Sequence, residues 1–195
     1  MAIAIRALTG GELLQAVEAL AALRIAVFAE YPYLYDGDPA YEARYVREFI
    51  AEPGSVLVAA LDGDDIVGVA TASPMSSQKE EFRRPFEERG IATANLFYFG
   101  ESVLLPEYRG QGVGHSFFDA REGHARAAGA DSTCFASVIR PADHPARPAD
   151  YRPHDRFWTN RGYAPVEGLT TELSWKDRGE AQETAKPMQY WMKRF

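Results

Sequence analysis

A chain of 195 residues, 46% hydrophobic and 25% charged, can bury a core of its own and is read as a single domain over 1–195. Its formal net charge of −7 gives no sign of the basic face a nucleic-acid binder presents, and its one cysteine, Cys134, excludes an internal disulfide and any multi-thiolate metal site. No apolar run approaches the roughly 18 residues of a membrane span, and the start of the chain lacks the basic-then-apolar layout of a leader, so a cytoplasmic protein without membrane association is expected.

Residues 3–8 read as a short strand. Thr9 and Glu12 then have capping-box spacing, and Leu13, Val17, Leu20, Arg24 and Val27 recur at helical intervals, which predicts a helix over about 10–30. The aromatic segment Tyr31-Pro32-Tyr33-Leu34-Tyr35 interrupts it. Asp38 followed by Pro39 has the chemistry of an N-cap and first turn, so a second helix starts there and ends before Pro53. Two strand-like runs, 55–61 and 66–73, flank the turn cluster Asp62-Gly63-Asp64-Asp65. The polar stretch 76–90 is helical or irregular, and the apolar run 95–105 fits a central strand.

That strand leads through Pro106-Glu107-Tyr108 into a glycine-rich loop and a helix of about 113–128, with Val113, Phe117, Ala120 and Ala128 near one face. A strand follows over 132–139, in which Cys134 reads as a small buried hydrophobe rather than a nucleophile. Four prolines (Pro141, Pro145, Pro148 and Pro153) forbid regular structure over 141–154, which reads as an ordered loop or flap. A short helix at 155–160 ends at Gly162, and two last strands are expected over about 170–176 and 188–194.

The order strand, Arg109-Gly110-Gln111-Gly112-Val113-Gly114, helix sets unpaired N–H groups at the positive end of a helix, a ready site for an anion. A P-loop would end in Gly-Lys-Ser/Thr, but Gly114-His115-Ser116 has no lysine there. A dinucleotide fingerprint wants a third glycine where His115 stands, near the start of a βαβ unit. The run from Val103 to Gly114 instead resembles motif A of the GNAT superfamily of acyl-CoA-dependent N-acetyltransferases. Its Arg/Gln-x-x-Gly-x-Gly/Ala pattern is met by Arg109, Gly112 and Gly114. The segment Phe157-Trp158-Thr159-Asn160-Arg161-Gly162-Tyr163 resembles the family's later Phe-Tyr-x-x-x-Gly-Phe, and the order of elements agrees over nearly the whole chain.

The resemblance implies an α/β fold with a mixed, mostly antiparallel sheet of about seven strands, helices on both faces and a splayed central pair. It implies acetyl-CoA as cosubstrate. The pyrophosphate would lie on backbone N–H groups of Arg109, Gly110, Gln111, Gly112, Val113, Gly114 and His115, and the pantetheine arm along Ser102, Val103 and Leu104. No metal is expected in such a site. The partners it implies are acetyl-CoA and a small amine acceptor, with a homodimer as the assembly it admits.

Acetylating an amine needs a neutral amine, a stabilised oxyanion and a proton for the leaving thiolate. Glu101, a carboxylate inside an otherwise apolar strand, is the leading base, with a salt-bridged structural carboxylate as the competing reading. The family's usual acid is a tyrosine where this sequence has Trp158, and indole N–H donates a hydrogen bond without yielding a proton. Tyr98, Tyr151 and Tyr163 stand as alternatives, as does water. Tyr31, Tyr33 and Tyr35 either line an acceptor pocket or pack an inter-helix turn. His144, Asp150, His154 and Asp155 match no compact metal-ligand spacing. Besides an N-acetyltransferase, the sequence admits a non-catalytic acyl-CoA-binding or sensing module and, more remotely, a site for another nucleotide.

Overall fold

The computed structural model describes residues 3–9 and 11–195, so the expected helix start at Gly10 lies outside it. Strand β1 (Ala4–Ala7) precedes helices α1 (Gly11–Phe28) and α2 (Pro39–Ala51). The hairpin β2 (Val56–Asp62) and β3 (Asp65–Pro74), helix α3 (Glu80–Glu88) and strand β4 (Leu96–Leu104) follow. The second half runs α4 (Val113–Ala127), β5 (Ser132–Val138), α5 (Asp155–Asn160), β6 (Ala164–Trp175) and β7 (Thr184–Arg194).

Local chemistry sets the boundaries. The Glu12 side chain accepts from the Thr9 N–H at 3.2 Å, the reaching-back half of a capping box. Asp38 caps α2 by accepting from the Tyr41 N–H at 2.7 Å, with Pro39 in the first turn. Helix α4 stops at Ala127, and Gly129 takes a positive φ of 83° just beyond it. Ala128 is therefore exposed at the C-cap and not on the packed face, which is made by Val113, Phe117, Phe118, Arg121, Glu122 and Ala125. Strands β6 and β7 start earlier than the sequence pattern indicates, at Ala164 and Thr184. Their pairing continues through a register shift between Pro165 and Thr170, where Gly168 has φ 65° and hides the alternation.

The strands form one sheet in the order β1-β2-β3-β4-β5-β7-β6, antiparallel throughout except for β4 and β5. Side chains alternate between two packed layers. Phe97 and Phe99 join Val113, Phe117 and Phe118 of α4 on one face, where Phe157 and Trp158 of α5 also pack. Val17, Leu20 and Leu23 of α1 and Val46 of α2 cover the other face over β2 and β3, and Phe86 of α3 packs there with Leu96, Tyr98 and Tyr190. The mixed, mostly antiparallel seven-stranded sheet with helices on both faces is thus as expected.

Two irregularities in β4 create the site. Strands β4 and β5 pair only at Leu96–Ser132, Phe97–Thr133 and Tyr98–Cys134, then part, so the C-terminal half of β4 has an unpaired edge. On its other side the register with β3 shifts, setting Gly100 and Glu101 opposite Thr71 alone. The Thr71 hydroxyl accepts from the Glu101 N–H at 3.1 Å. A Cβ on Gly100 would stand 2.5 Å from that same oxygen, so the bulge has room only for glycine there.

Candidate functional site

A cleft of about 1760 Å³ opens where β4 and β5 separate. One end reaches the loop before α4. Gly110 and Gly112 adopt φ of 76° and 85°, the left-handed region that glycine enters without strain, and a Cβ on either would meet nothing within 4 Å. The loop backbone is thus bare toward solvent. Among the described residues no backbone N–H from Gly110 to His115 donates to a protein acceptor; the first α4 bond runs from Ser116 N–H to Gly112 O at 3.2 Å. Six consecutive positions at the positive end of a fifteen-residue helix therefore offer donors to an anion.

The side chains around that loop hold its shape. The Arg109 guanidinium donates twice to the Leu104 carbonyl at 3.2 Å and pairs with Glu30 at 2.9 Å, tying the end of β4 to the end of α1. The Gln111 amide donates to the Glu107 carbonyl at 3.1 Å, and Gln111 does not line the cleft. His115 packs on Phe157 and meets Arg161 at 3.2 Å through Nδ1. Of the strand residues, Ser102 is exposed and Leu104 lines the cleft, while the Val103 side chain is buried in the core under α1. Only the backbone of Val103 belongs to the free edge.

The other end of the cleft holds a buried ionic group. Glu101 pairs through Oε2 with Arg24 Nη1 at 2.8 Å, and Arg24 Nε donates to Glu42 Oε2. The Tyr35 hydroxyl donates to Glu42 Oε1 at 2.7 Å. Burial works against the Arg24 charge, but Glu101, Tyr45 and Glu42 outweigh it and push its pKa further up. The guanidinium also lies over the Tyr45 ring, 4.2 Å from its centre. Glu101 is thus both a cleft carboxylate and a salt-bridged one. Its Oε1 has no protein partner among the described residues.

Behind Glu101 sits Arg121 of α4, among the largest fully buried side chains. Its Nη1 donates to the carbonyls of Thr71 and Glu101, each at 3.3 Å, and its Cζ lies 4.5 Å from the centre of the Phe99 ring and 4.7 Å from that of Phe118. Burial without a carboxylate partner lowers its pKa to about 10. Arg121 therefore satisfies the carbonyls that the β4 bulge takes out of the ladder, and so fixes the direction of Glu101.

The tyrosines sort into two groups. Tyr98 lines the cleft, and burial raises its pKa well above the usual phenol range; burial raises Tyr33 to about 12. Such phenols donate hydrogen bonds but give up a proton poorly. Tyr163, in contrast, is 1% exposed in the core beneath α4, where its hydroxyl meets Thr133 at 2.9 Å and Glu122 at 3.2 Å. It does not reach the cleft, because β5 and α4 enclose it, so Tyr163 is not placed to act as the acid that the sequence admits. Trp158 stands in the cleft wall, 4.9 Å from the Phe135 ring and 5.1 Å from the Trp191 ring. Tyr151 meets Tyr31 edge-on at 4.6 Å. Tyr33 and Tyr35 both border the cleft. Cys134 is fully buried and its thiol is pushed up by that burial, as befits a core residue.

Arg24, Glu42 and Tyr45 were not singled out from the sequence. A signal existed for Arg24, a charge on the otherwise apolar Leu13–Val17–Leu20–Val27 stripe of α1. Glu42 has the same character on α2, one turn before the buried Val46. Among the described residues no group of three His, Cys, Asp or Glu side chains is arranged to hold a metal ion, and no helix is long and apolar enough to cross a membrane.

Comparison with known proteins supplies the remaining observation. The model of the acetyltransferase (GNAT) family matches residues 20–149. No curated protein matches the chain by sequence. Among solved structures the ribosomal-protein-alanine N-acetyltransferase of Brucella melitensis superposes with a TM-score of 0.63 at 15% identity, covering 98% of this chain and 99% of that one. An aminoglycoside 6'-N-acetyltransferase complexed with coenzyme A gives 0.63 at 17% identity, over 98% and 96% of the two chains. A Salmonella typhimurium protein whose structure holds its cofactor acetyl-CoA gives 0.62 at 10% identity, over 100% and 94%. At such identities the likeness is one of fold.

Proposed function

Because the chain belongs to the GNAT family of acetyltransferases, we propose that it moves the acetyl group of acetyl-CoA to a primary amine by direct attack. The observation that carries this reading is the run of unpaired N–H groups from Gly110 to His115, opening on the same cleft as Glu101. The donors fit a pyrophosphate, and the unpaired edge of β4 from Ser102 to Leu104 fits the amide groups of a pantetheine arm. Acetyl-CoA supplies an activated acyl carbon on a thiol leaving group.

The protein's part is to position and to move a proton. Glu101 Oε1 accepts the proton of the incoming ammonium, and Arg24 holds the other oxygen in place. The freed amine nitrogen bonds to the acyl carbon, the carbon–sulfur bond breaks, and the second nitrogen proton finishes on the thiolate. Tyr98, with its raised pKa, serves as a hydrogen-bond donor in the cleft rather than as the proton source.

Release of free CoA thiol from acetyl-CoA in the presence of an amine panel tests the reading. Glu101→Gln is expected to lower turnover by about 10²–10⁴-fold while leaving acetyl-CoA affinity unchanged. Absence of turnover with every amine would refute it. A second reading, a non-catalytic acyl-CoA-binding module, draws on Trp158 at the position of the family's tyrosine. Tight acetyl-CoA binding with no turnover favours that module.

A further inference from the structure

Strands β4 and β5 run parallel and in register as far as Tyr98 and Cys134. Carried past the point of parting, that register sets the bulged pair Gly100–Glu101 across the gap from Ala136 and Ser137. Glu101 and Ser137 both line the cleft, but their side chains leave the sheet on opposite faces. Glu101 reaches Arg24 of α1, whereas Ser137 follows Phe135 onto the face covered by α4 and α5 and meets Trp191 there. The glycine loop begins α4, so the unpaired N–H groups lie on Ser137's side.

The Ser137 hydroxyl has a direction. Nε1 of Trp191, a buried side chain of the core, donates to Ser137 Oγ at 3.1 Å. Indole N–H can only donate, so the serine oxygen accepts here and its own hydrogen points elsewhere. Among the described residues that hydrogen has no acceptor, and Ser137 is half-buried on the cleft wall. Around it the wall is aromatic, with the Trp158 ring 4.9 Å from that of Phe135 and 5.1 Å from that of Trp191. Tyr98 belongs to the other face, where it packs with Phe82, Leu96 and Cys134. His154 also lines the cleft, its ring 5.8 Å from that of Trp158.

We propose that Ser137 is a further catalytic residue, the hydrogen-bond donor to the sulfur of CoA as the thioester opens. This rests on the acetyl-transfer reading. The acyl carbon lies in the gap between the strands, the amine enters from the side of Glu101 and the sulfur leaves on the side of Ser137. As the nitrogen–carbon bond forms, the carbon–sulfur bond breaks and its electron pair goes to sulfur. Ser137 Oγ–H donates to that sulfur and keeps its proton, because an alkyl hydroxyl binds a proton more tightly than a thiol does. The proton that finishes on sulfur is the second nitrogen proton. A bond to the developing thiolate is charge-assisted, hence stronger than any the hydroxyl makes to the intact thioester. Trp191 keeps the hydroxyl turned outward, since the opposite orientation sets two donors against each other.

CoA itself is the probe. The thiol of protein-bound CoA is titrated by ultraviolet difference absorbance in the parent and in Ser137→Ala, Ser137→Val, Ser137→Thr and His154→Asn. Ser137→Ala and Ser137→Val are expected to raise the pKa of the bound thiol by about one unit, since the thiolate loses a donor that the thiol does not need. Ser137→Thr keeps the hydroxyl and titrates with the parent, as does His154→Asn. Val and Thr match in shape, so that pair separates loss of the donor from loss of packing. With any amine that the parent acetylates, Ser137→Val lowers kcat about 10–100-fold at unchanged KM, and Ser137→Thr restores it. A bound thiol that titrates alike in the parent and both hydroxyl-free variants, or that moves with His154→Asn instead, overturns the role of Ser137 and leaves acetyl transfer standing. If CoA does not bind the parent, acetyl transfer itself falls, and the role of Ser137 with it.

Discussion

Arg24 is the residue on which the ionic end of the cleft depends. It pairs with both Glu42 and Glu101 from the buried face of α1, and its own charge is secured by them. Removing it leaves two carboxylates in a place with little water. Arg24→Met is expected to cost about 3–5 kcal/mol in stability, read as a lower urea midpoint at unchanged slope, because an ion stripped of its partner keeps its desolvation penalty. A loss below about 1 kcal/mol would show that water reaches the group and that the pairing is a surface one. Sequence reading found Glu101 because a carboxylate in an apolar strand is conspicuous. It passed over Arg24 and Glu42 because a single charge on an amphipathic helix is ordinary until the partner across the helix pair is known. Tyr163 shows the opposite error, for nothing in its neighbours along the chain tells that β5 and α4 close over it.

At the scale of elements, the β4–loop–α4 unit does most to shape the site. The bulge at Gly100 and Glu101 turns the carboxylate into the cleft, Arg121 and Thr71 satisfy the backbone groups it displaces, and the parting from β5 frees the edge. The glycine loop was legible in the sequence because its spacing has a mechanical meaning, close approach of an anion to backbone N–H groups. The bulge was not, since pairing two residues against one is a relation between strands and leaves no local mark. Gly112→Trp tests the loop. Its positive φ makes any side chain there strained by about 1–2 kcal/mol, which the fold tolerates, and the indole enters the space before the unpaired N–H groups. Acetyl-CoA binding measured by calorimetry is expected to vanish while the circular dichroism spectrum is kept. Unchanged affinity would remove the loop from the donor site.

Over the whole molecule, the strand and helix order was readable because periodicity, caps and turn chemistry agree with one another from Thr9 to Gly129. The last hairpin was read short, since Pro165 and Gly168 mask a strand that the sheet continues through. The end of the cleft beyond Glu101 was the least legible part. It is assembled from the segment between α1 and α2, the bulged strand β4 and the β6–β7 end of the sheet, joined by Arg140 and Asp177, which lie far apart in sequence. The proposed function requires that one cleft hold the donor on the α4 loop and present it to Glu101. A crystal structure with CoA tests this most directly. Pyrophosphate oxygens are expected about 2.7–3.2 Å from backbone nitrogens between Gly110 and His115, with the pantetheine arm along Ser102–Leu104 and the thiol end directed toward Glu101. A pyrophosphate bound elsewhere, or a thiol directed away from Glu101, would contradict it.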